Sequence, residues 1–583
     1  MRALNPDLIT AQRVPGAPPY LRVEASDRSG SVQRLHFTRY YTGAEDDEPH
    51  DVAYGPTNKA LTRIKVDTAT HHLWTETISG VATNSPFGSS WVDREAVQAG
   101  TDVTICSNAA NQLVLCYVHT DDVTIKSRAS TDGGFSWAAA VNVVVAASAV
   151  THLSITHNGT EYTLFYSTAS QVHRIKRTAG VWGAATAWTN TAATITGVAA
   201  HWWLDHQLVV TGTDAAGDAY LWHLVLGDGF TLAVDTWGSL NVIERASSGS
   251  TLTFNRPYLE RPDVLRLSFH ENYSGSVAYA RNATARQPLQ AGFGSFFWSE
   301  PAPFEAVSNH GWALATDTTN KLVWLTNPFG VWAAPYDVAA VDLTQSVDRL
   351  TIDQSPADGS LRLILVDPTA TRGPDPTWPP SPLTLGAQLA VSPGYLTPTG
   401  PKTASGMAFW IESFSSHIDQ GGRLTSVIDA IDGWGLLARW TARRQFQWAA
   451  GAANVGNIIA EILARAGMSL LSSATSPAFV NLYPAFTIQP GEDGRSAIRR
   501  LLQMVEDVLF LEGETAWASF PQASDPSTYT FAGPRRTTDP VGALPIIVAE
   551  YLTSALSTNQ HIVAGLSAIA EATDQAASEY VGV

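Results

Sequence analysis

The segment at residues 130–137, which reads STDGGFSW, constrains the fold more than any other part of the sequence. The carboxylate of Asp132 can accept hydrogen bonds from backbone N–H groups within its own turn. Gly133 and Gly134 tolerate the positive φ angles that a tight hairpin requires. Trp137 adds one large apolar ring that can fill a seam between neighbouring sheets. The segment therefore predicts a β-hairpin turn packed against a second sheet, and it indicates architecture rather than a reaction.

The region around this turn, up to about residue 335, consists of short alternating stretches separated by turn signals. The positions of Ser130, Asp132, Gly134 and Trp137 resemble the Asp-box of β-propeller blades, which implies a structural role for these four residues. The resemblance also implies a β-propeller over residues 46–335, a length that suits roughly six or seven blades of ~40–45 residues. Tryptophan suits the seams between blades, and in this region it recurs at positions 74, 91, 137, 182, 188, 202, 203, 222, 237, 298, 312, 324 and 332.

Length and charge restrict the classes of protein to consider. A chain of 583 residues is too long for one hydrophobic core, so several domains are expected. No stretch approaches the ~20 consecutive apolar residues of a membrane-spanning helix, and the first residues lack the apolar core of a signal peptide. The net charge of −17 argues against wrapping nucleic acid, which needs clustered Lys and Arg. It is compatible with DNA passing through an acidic or neutral lumen.

The two cysteines, Cys106 and Cys116, flank a predicted hairpin turn and can therefore face each other. A disulfide between them and a pair of reduced core thiols are both compatible with that placement. Because no export signal precedes them, the reduced form is favoured.

Beyond about residue 336 the pattern changes to longer strands and two predicted helices. The first helix, at about 454–467, follows Asn454, a favourable N-cap, and carries apolar residues at i, i+3 and i+4 spacing. The second, at about 494–507, follows Glu492 and Asp493, whose charges suit the positive end of a helix dipole.

Several stretches of this region resemble the baseplate-hub proteins of long-tailed phages and related injection machines. They read LTQSVDRLTID with LRLILVDP, LTLGAQLAVSPGYL, NVGNIIAEILARAGM and FTIQPGEDGRSAIRRLLQMVEDVLFLEGETAW. The resemblance covers about residues 338–583, with part of 15–40. It implies a mainly β chain, in which a β-propeller is followed by, and inserted into, a tail-hub module of β-barrels with two short α-helices. That module would occupy 336–583 and take strands from 1–45.

The same resemblance implies assembly rather than catalysis. The family is structural, forms trimers around the tail lumen and has no fixed catalytic residues, so no catalytic residue, metal or cofactor is expected. The implied partners are copies of this chain, the tail-tube or distal tail protein, the tape-measure protein and other tail-tip proteins, with DNA only in passage. The propeller would be a peripheral domain contacting tip proteins or a host-surface glycan or receptor. The implied location is the virion tail, assembled in the cytoplasm of the bacterial host.

A second interpretation is a secreted or surface glycan-binding or sialidase-like propeller protein, because Asp-boxes also occur in sialidases. Those enzymes carry an early [FY]-R-[IV]-P motif, and residues 12–15 read QRVP. Gln12 replaces the aromatic residue, however, and Arg13 lies far ahead of the Asp-box turn. The enzyme is therefore the less favoured of the two interpretations.

Metal binding is disfavoured at both places where the residue types would allow it. No D-x-D-x-D-G run surrounds Asp132, as a calcium loop would require. A metal site also needs convergent ligands held by an ordered second shell. The loose group of His201, Asp205 and His206 is therefore interpreted as a strand end.

Three arginine pairs stand out in this acidic chain. Arginine favours two-pronged pairing with carboxylates at interfaces, so these pairs are candidates for binding an acidic neighbour in a ring assembly. The favoured interpretation is that they pair within the chain or face solvent. The six residues are Arg443, Arg444, Arg499, Arg500, Arg535 and Arg536.

Overall fold

The structure is a computed structural model of the whole chain. The residues that it describes are 19–26, 28–29, 32–33, 38–42, 48–57, 59–78, 91–95, 99–189, 193–203, 205–226, 242–246, 251–254, 258–261, 264–272, 279–286, 302–303, 313–317, 322–327, 330–335, 340–355, 358–367, 383, 385–397, 400–403, 407–418, 424–472, 474–521, 531–532, 544–545, 560–565 and 568–573.

The chain divides into two compact units that alternate along the sequence. The first unit contains residues 1–30, 339–450 and 471–583, and the second contains 31–338 and 451–470. The long second unit is therefore inserted into the first in sequence, and it also includes a short segment from much later in the chain.

The N-terminal residues and the second unit form short strands, in keeping with a mainly β protein. In chain order the strands are β1 (Pro19–Ser26), β2 (Arg28–Ser29), β3 (Val32–Gln33), β4 (Thr38–Thr42), β5 (His50–Gly55), β6 (Ala60–Asp67), β7 (His72–Ile78), β8 (Val92–Glu95), β9 (Ala99–Ser107), β10 (Leu113–His119), β11 (Thr124–Ser130), β12 (Val141–Val145), β13 (His152–His157), β14 (Tyr162–Ser167), β15 (Gln171–Thr178), β16 (Val181–Trp182), β17 (Thr186–Thr189), β18 (Ala193–Trp203), β19 (Asp205–Asp214), β20 (Ala219–Leu226), β21 (Val242–Ala246), β22 (Thr251–Phe254), β23 (Tyr258–Arg261), β24 (Val264–Asn272), β25 (Tyr279–Arg286), β26 (Ala302–Pro303), β27 (Ala313–Asp317), β28 (Leu322–Asn327) and β29 (Gly330–Pro335).

Within the described parts of the second unit, the strands make six antiparallel sheets of four or five strands. Neighbouring sheets contact one another in sequence: β5 meets β9, β9 meets β13, β13 meets β18, β20 meets β22, β23 meets β27, and β27 returns to β5. This closed series of small sheets is the arrangement of a β-propeller. The sheet orders are β5-β6-β7-β8; β12-β11-β10-β9; β13-β14-β15-β16 with β17 on β15; β18-β19-β20-β21; β22-β24-β25-β26 with β23 on β24; and β27-β28-β29-β4.

The sixth sheet joins the two ends of the propeller sequence. Strand β4 precedes the other five sheets in the chain, yet it forms the outer strand of the sixth, with Tyr41 opposite Val331 and Arg39 opposite Trp332. The ring is thereby closed by backbone hydrogen bonds between residues almost three hundred positions apart. Such a closure gives the ring a long-range restraint that local hairpins alone would not supply.

Buried apolar clusters fill the seams between neighbouring sheets. Ile64 of the first sheet and Ile105 of the second belong to one cluster. Leu61 of the first sheet and Trp324 of the sixth belong to another, and Trp324 is fully buried. Further clusters join the second sheet to the third, the third to the fourth and the fourth to the fifth. The first four sheets therefore each bury both faces, as their short apolar strands require.

The remaining elements follow residue 340. The strands are β30 (Val341–Asp342), β31 (Val347–Ser355), β32 (Asp358–Asp367), β33 (Gln388–Thr397), β34 (Gly400–Thr403), β35 (Met407–Ile418), β36 (Leu424–Ile431), β37 (Phe446–Trp448), β38 (Ser469–Ser472), β39 (Phe486–Ile488), β40 (Val508–Glu512), β41 (Thr515–Ser519), β42 (Phe531–Ala532), β43 (Leu544–Pro545), β44 (Gln560–Gly565) and β45 (Ala568–Thr573). The helices are α1 (Gly433–Arg439), α2 (Val455–Arg465), α3 (Pro477–Asn481) and α4 (Gly494–Leu502), and a 3-10 turn spans Thr344–Ser346.

The first unit is built on an eight-stranded sheet that uses residues from both sides of the propeller sequence. Its main path is β30-β1-β33-β35-β36-β32-β31, with β34 on β33. Strand β1 pairs antiparallel with β33, so that Val23 lies opposite Val391 and Ala25 opposite Leu389. These residues belong to one buried cluster with Phe409 and its neighbours.

The predicted β-barrel modules are not found in the described part of this unit. No recorded pairing joins β30 to β31, the two outer strands of the eight-stranded sheet, so that sheet is open. The expectation of closed barrels came from the resemblance alone, because no local pattern of residues specifies whether the ends of a sheet meet.

Both predicted helices are present, and two shorter ones were not predicted. Helix α2 begins after Asn454, whose side chain accepts from the N–H of Asn457 at 2.8 Å. Helix α4 begins after Asp493 and ends at Leu502, earlier than the predicted Asp507. The early end has a physical reason: the buried carboxylate of Asp507 accepts hydrogen bonds from the backbone and hydroxyl of Ser476, the N-cap of α3.

Candidate functional site

The turn at residues 130–137 directs its hydrogen bonds onto one carboxylate. Asp132 accepts from the backbone N–H of Ser136 at 2.9 Å and from the Ser130 hydroxyl at 2.7 Å. The Ser136 hydroxyl donates to its second oxygen at 2.5 Å. Partial burial opposes ionisation, but these hydrogen bonds together lower the pKa of Asp132 to about 2. Asp132 therefore serves as the ionised centre of the turn.

The same turn rests on the neighbouring first sheet. The Thr62 hydroxyl donates to the carbonyl of Gly133 at 3.2 Å, and the Thr77 hydroxyl donates to that of Gly134 at 3.1 Å. The indole N–H of Trp137 also donates to Gly134, at 3.0 Å. Gly134 has φ +97°, and a Cβ there would lie 2.7 Å from both threonine oxygens. Through Gly134, the predicted turn of the second blade is therefore joined to the first blade.

Two aspartates that the sequence interpretation missed link the first strands of successive blades. Asp51 on β5 accepts from the N–H of Val52 at 2.8 Å with one oxygen. Its other oxygen accepts from the N–H of Ile105 at 2.8 Å and the hydroxyl of Thr104 at 2.9 Å, both on β9. Asp51 itself is buried, so all of these contacts form away from solvent.

Asp102 repeats this arrangement one blade further on. One oxygen accepts from the N–H of Val103 at 2.9 Å, and the other accepts from the N–H of Leu153 on β13 at 2.6 Å. The Nδ1 atom of His152 lies 3.0 Å from that second oxygen. The available sequence signal was the Asp-Val pair shared by the two strands, which is too short to separate from chance.

His152 opens onto a pocket of about 320 Å³ at the ends of several blade strands. Burial disfavours its positive charge, but the carboxylate of Asp102 outweighs burial and raises the pKa of His152 above its ordinary value. The wall is mostly hydroxyl-bearing and small apolar side chains. Its residues are His152, Thr196, Thr211, Gly212, Thr213, Ala219, Thr251 and Leu252.

The first blade contains a buried ion pair. The side chains of Arg63 and Glu76 are 3% and 0% exposed, and they lie opposite each other on β6 and β7. Arg63 Nε donates to Glu76 at 3.0 Å, and the guanidinium lies 4.8 Å from the ring centre of Trp91. Two buried charges are tolerated only when they are paired and hydrogen-bonded to each other. The pair is therefore a structural part of the blade core.

Arg444 and Arg500, which belong to different predicted pairs, each lie over an aromatic ring of the same two-stranded sheet. Arg444 lies 5.2 Å from the ring centre of Phe446, on β37. Arg500 lies 4.5 Å from that of Phe486, on the paired strand β39. Arg500 also forms an ion pair with Glu492 at 2.7 Å. These two arginines therefore have packing roles within the chain.

The other predicted arginines differ in position. Arg443 and Arg499 are exposed, so the structure places them where a neighbouring molecule can reach them. Arg535 and Arg536 lie outside the described residues, as does Arg13 of the alternative enzyme interpretation.

The two cysteines do not form a disulfide with each other, and they are not cross-strand partners. Cys106 lies opposite Val114, whereas Cys116 lies opposite Thr104. Burial raises the pKa of the Cys116 thiol well above its ordinary value. Cys116 thus behaves as a small apolar core residue.

The predicted strand-end group is divided between core and surface. His206 is fully buried, with its Nδ1 atom 3.2 Å from the Thr156 hydroxyl and its ring 4.7 Å from that of Trp202. His201 is half-buried, and the side chain of Asp205 lies outside the described set. Within the part of the chain that the structure describes, no three His, Cys, Asp or Glu side chains are grouped to hold a metal ion.

Among the residues that the structure describes, no helix is long and apolar enough to cross a bilayer.

Comparisons with known proteins find structural likeness but no sequence match. No protein-family model matches the chain, and no curated protein does either. Structural neighbours include a tail protein from Neisseria meningitidis, with a TM-score of 0.25, 17% identity and coverage of 34% of this chain and 53% of the other. The chain therefore matches about half the length of that protein.

Two further neighbours represent the two kinds of protein that recur. The prophage tail protein gp18 of Listeria monocytogenes gives a TM-score of 0.22 and 12% identity, covering 35% of this chain and 53% of the other. The six-bladed propeller lectin of Aleuria aurantia gives a TM-score of 0.29 and 10% identity, covering 63% of this chain and 97% of the other. Phage tail proteins and propeller lectins thus both occur among weakly similar structures.

Proposed function

We propose that this protein is a structural component of a phage tail: a hub that connects the tail tube to the tip, with the propeller as a peripheral domain. It acts by assembly, without catalysis, in the virion tail. Its partners are further copies of itself, tail-tube and tape-measure proteins and other tip proteins. The resemblance of residues 338–583 to baseplate hubs motivates this proposal.

The observation that carries the proposal is the pairing of β1 with β33. Residues before the propeller and residues after it complete one sheet, with Val23 opposite Val391. A propeller inserted in the sequence in this way can be large without interrupting the pairing of that sheet. That is what a hub with an added peripheral domain requires, because the assembling module and the added domain must each keep their own core.

The exposed arginines supply chemistry for assembly. Arg443 and Arg499 are exposed in a protein with a net charge of −17. Guanidinium groups favour carboxylates on a partner, and they direct orientation as well as attraction. A second copy of this acidic chain offers such carboxylates.

The test is electron microscopy of the full chain expressed with the adjacent tail-tube protein. We expect rings with a central opening that cap the tube, and labelling of the propeller should place density on the outside of the ring. A chain that never joins the tube, and whose purified form shows no ring under any of the co-expression conditions, would contradict the hub.

The alternative glycan-cleaving propeller is tested separately. Release of a fluorogenic sialic acid by the purified chain, abolished by Arg13→Ala, would establish the enzyme. Absence of release at high protein concentration, with a known sialidase active in the same buffer, supports the structural role.

A further inference from the structure

The pocket beside His152 has features of a built site. It is formed by three different blades: His152 begins β13, Thr196 lies near the start of β18, and Thr251 begins β22. Since the first strands of the blades surround the propeller axis, their N-terminal ends meet at one mouth of the ring. A site at this mouth is shared by blades rather than enclosed in one.

The ring of His152 lies beside a carboxylate that is itself held in place. Its Nδ1 atom lies 3.0 Å from Asp102, whose side chain is only 11% exposed, whereas the histidine side chain is 42% exposed. Asp102 is fixed in turn by the N–H of Leu153 at 2.6 Å. His152 therefore lines the pocket next to a carboxylate whose own position is fixed by a backbone hydrogen bond.

The hydroxyl groups of the wall are also arranged in advance. Thr196 Oγ1 donates to Thr211 Oγ1 at 2.9 Å, and Thr211 is only 3% exposed although it lines the pocket. Ala219 and Leu252, also in the wall, are 4% and 6% exposed. The site thus combines oriented hydroxyls with a small apolar surface.

Charge and size limit the chemistry of the ligand. The positive charge that His152 can carry is balanced by Asp102, so an anion gains little net attraction. A threonine hydroxyl can both donate and accept a hydrogen bond, which suits a ligand whose own groups do both. A volume of about 320 Å³ lies at the small end of ligand pockets and admits one ring-sized molecule.

We propose that this pocket binds a neutral, hydroxyl-rich ligand of the size of one monosaccharide unit, with His152 and Thr211 as hydrogen-bonding contacts. The inference deepens the proposed function and rests on it for the source of the ligand, a glycan of the host surface. Binding itself does not depend on assembly into a tail, so the two proposals can fail independently.

The experiment measures binding of methyl glycosides of the common hexoses, deoxyhexoses and N-acetylhexosamines to the full-length chain, by saturation-transfer NMR and calorimetry. Inorganic phosphate and acetate are the anionic probes. We expect at least one methyl glycoside to bind in the millimolar range or tighter, and the two anions not to compete with it.

Variants locate the site. His152→Gln and Thr211→Val should each weaken binding about 2- to 10-fold, the range for loss of one hydrogen bond. Thr251→Trp places bulk at an exposed wall position and should abolish binding. The matched control is His157→Gln, which alters a histidine at the other end of the same strand and should leave affinity unchanged. Thermal melting of each variant checks that the fold persists.

Several results would overturn the proposal. They are no glycoside binding at tens of millimolar, binding that Thr251→Trp leaves intact, or binding of phosphate or acetate alone. If the chain joins the tail tube but binds no glycoside, this inference is wrong and the hub proposal stands. Glycoside binding by a chain that never joins a tail tube would do the reverse.

Discussion

Asp102 accepts a hydrogen bond from the backbone N–H of Leu153, 2.6 Å away on the first strand of the next blade. Asp51 makes the equivalent bond to Ile105 one blade earlier. Two seams of the propeller are therefore joined by carboxylates as well as by apolar packing. Because a buried N–H without an acceptor is costly, each aspartate specifies which strand must lie beside it.

Asp51→Ala and Asp102→Ala are expected to destabilise the protein by about 1–3 kcal/mol each, because each leaves a buried backbone N–H without its acceptor. Chemical denaturation followed by tryptophan fluorescence measures the change. Asp102→Asn keeps one carbonyl acceptor and should cost less than Asp102→Ala. Equal stability of Asp102→Ala and wild type would show that water replaces the carboxylate at no cost.

A glycine of the turn at residues 130–137 offers a matched comparison. Gly134 and Gly159 have nearly the same φ, +97° and +98°, but only Gly134 has neighbours within reach of an added Cβ. Gly159→Ala should cost about 1–2 kcal/mol from the left-handed backbone alone. Gly134→Ala should cost about 1–3 kcal/mol more, because its methyl group meets the hydroxyls of Thr62 and Thr77. Thermal melting of the two variants measures the difference in stability. Equal losses of stability would mean that the first blade shifts away from the added methyl group at little cost.

Residue patterns within a few positions of one another predicted turns and helix starts, but they could not predict which distant strands pair. The turn around Asp132 and the beginnings of α2 and α4 follow from residues within a few positions of one another, so the sequence displays them directly. Helices α1 and α3, of seven and five residues, are too short to show a 3.6-residue period. Strand β1 pairs with β33 across the whole propeller sequence, and no local pattern specifies that partner.

The candidate site was hidden from the sequence for a similar reason. His152 lies 3.0 Å from Asp102, although the two residues belong to different blades. The threonines of the pocket come from further blades again. Threonine is common in strands for its β-branched shape alone, so its occurrence there gave no indication of a site.

Acid should weaken the propeller through a buried histidine. Burial of His223, which is 2% exposed, lowers its pKa to about 3. In the unfolded chain histidine takes up a proton below about pH 6.5, whereas the folded protein keeps His223 neutral. The stability is therefore complete above about pH 6.5 and falls as the pH drops towards the folded pKa, by up to ~1.4 kcal/mol per pH unit.

Urea denaturation of wild type and His223→Gln at pH 7.5 and pH 5 tests this. In the wild type, His223 Nε2 lies 2.9 Å from Gln207 Oε1. A glutamine at position 223 keeps a polar group near Gln207 but does not titrate. The variant should lose less stability on acidification than wild type. An identical loss in both proteins would assign the pH dependence to other groups.

Arg465 and Arg439 end two helices in different environments. Arg465, on α2, is 8% exposed and donates to the carbonyls of Val242 at 3.1 Å and Ile243 at 3.4 Å. Arg439, on α1, forms an exposed ion pair with Glu412 at 3.0 Å. Arg465→Ala should cost about 1–3 kcal/mol and increase hydrogen exchange in α2. Arg439→Ala should cost less than about 1 kcal/mol, and a reversed order would contradict a docking role for Arg465.

Charge reversal at the exposed arginines tests the proposed assembly contacts without disturbing the core. Arg443→Glu and Arg499→Glu should reduce the fraction of chains in multimers, because an acidic neighbour would then be repelled rather than bound. Lys59→Glu, an exposed position on the propeller, makes the same change in net charge and serves as the control. Native mass spectrometry at two salt concentrations measures the multimers, and thermal melting confirms that each variant is folded. If all three variants lower assembly equally, net charge is responsible, and Arg443 and Arg499 are not specific contacts.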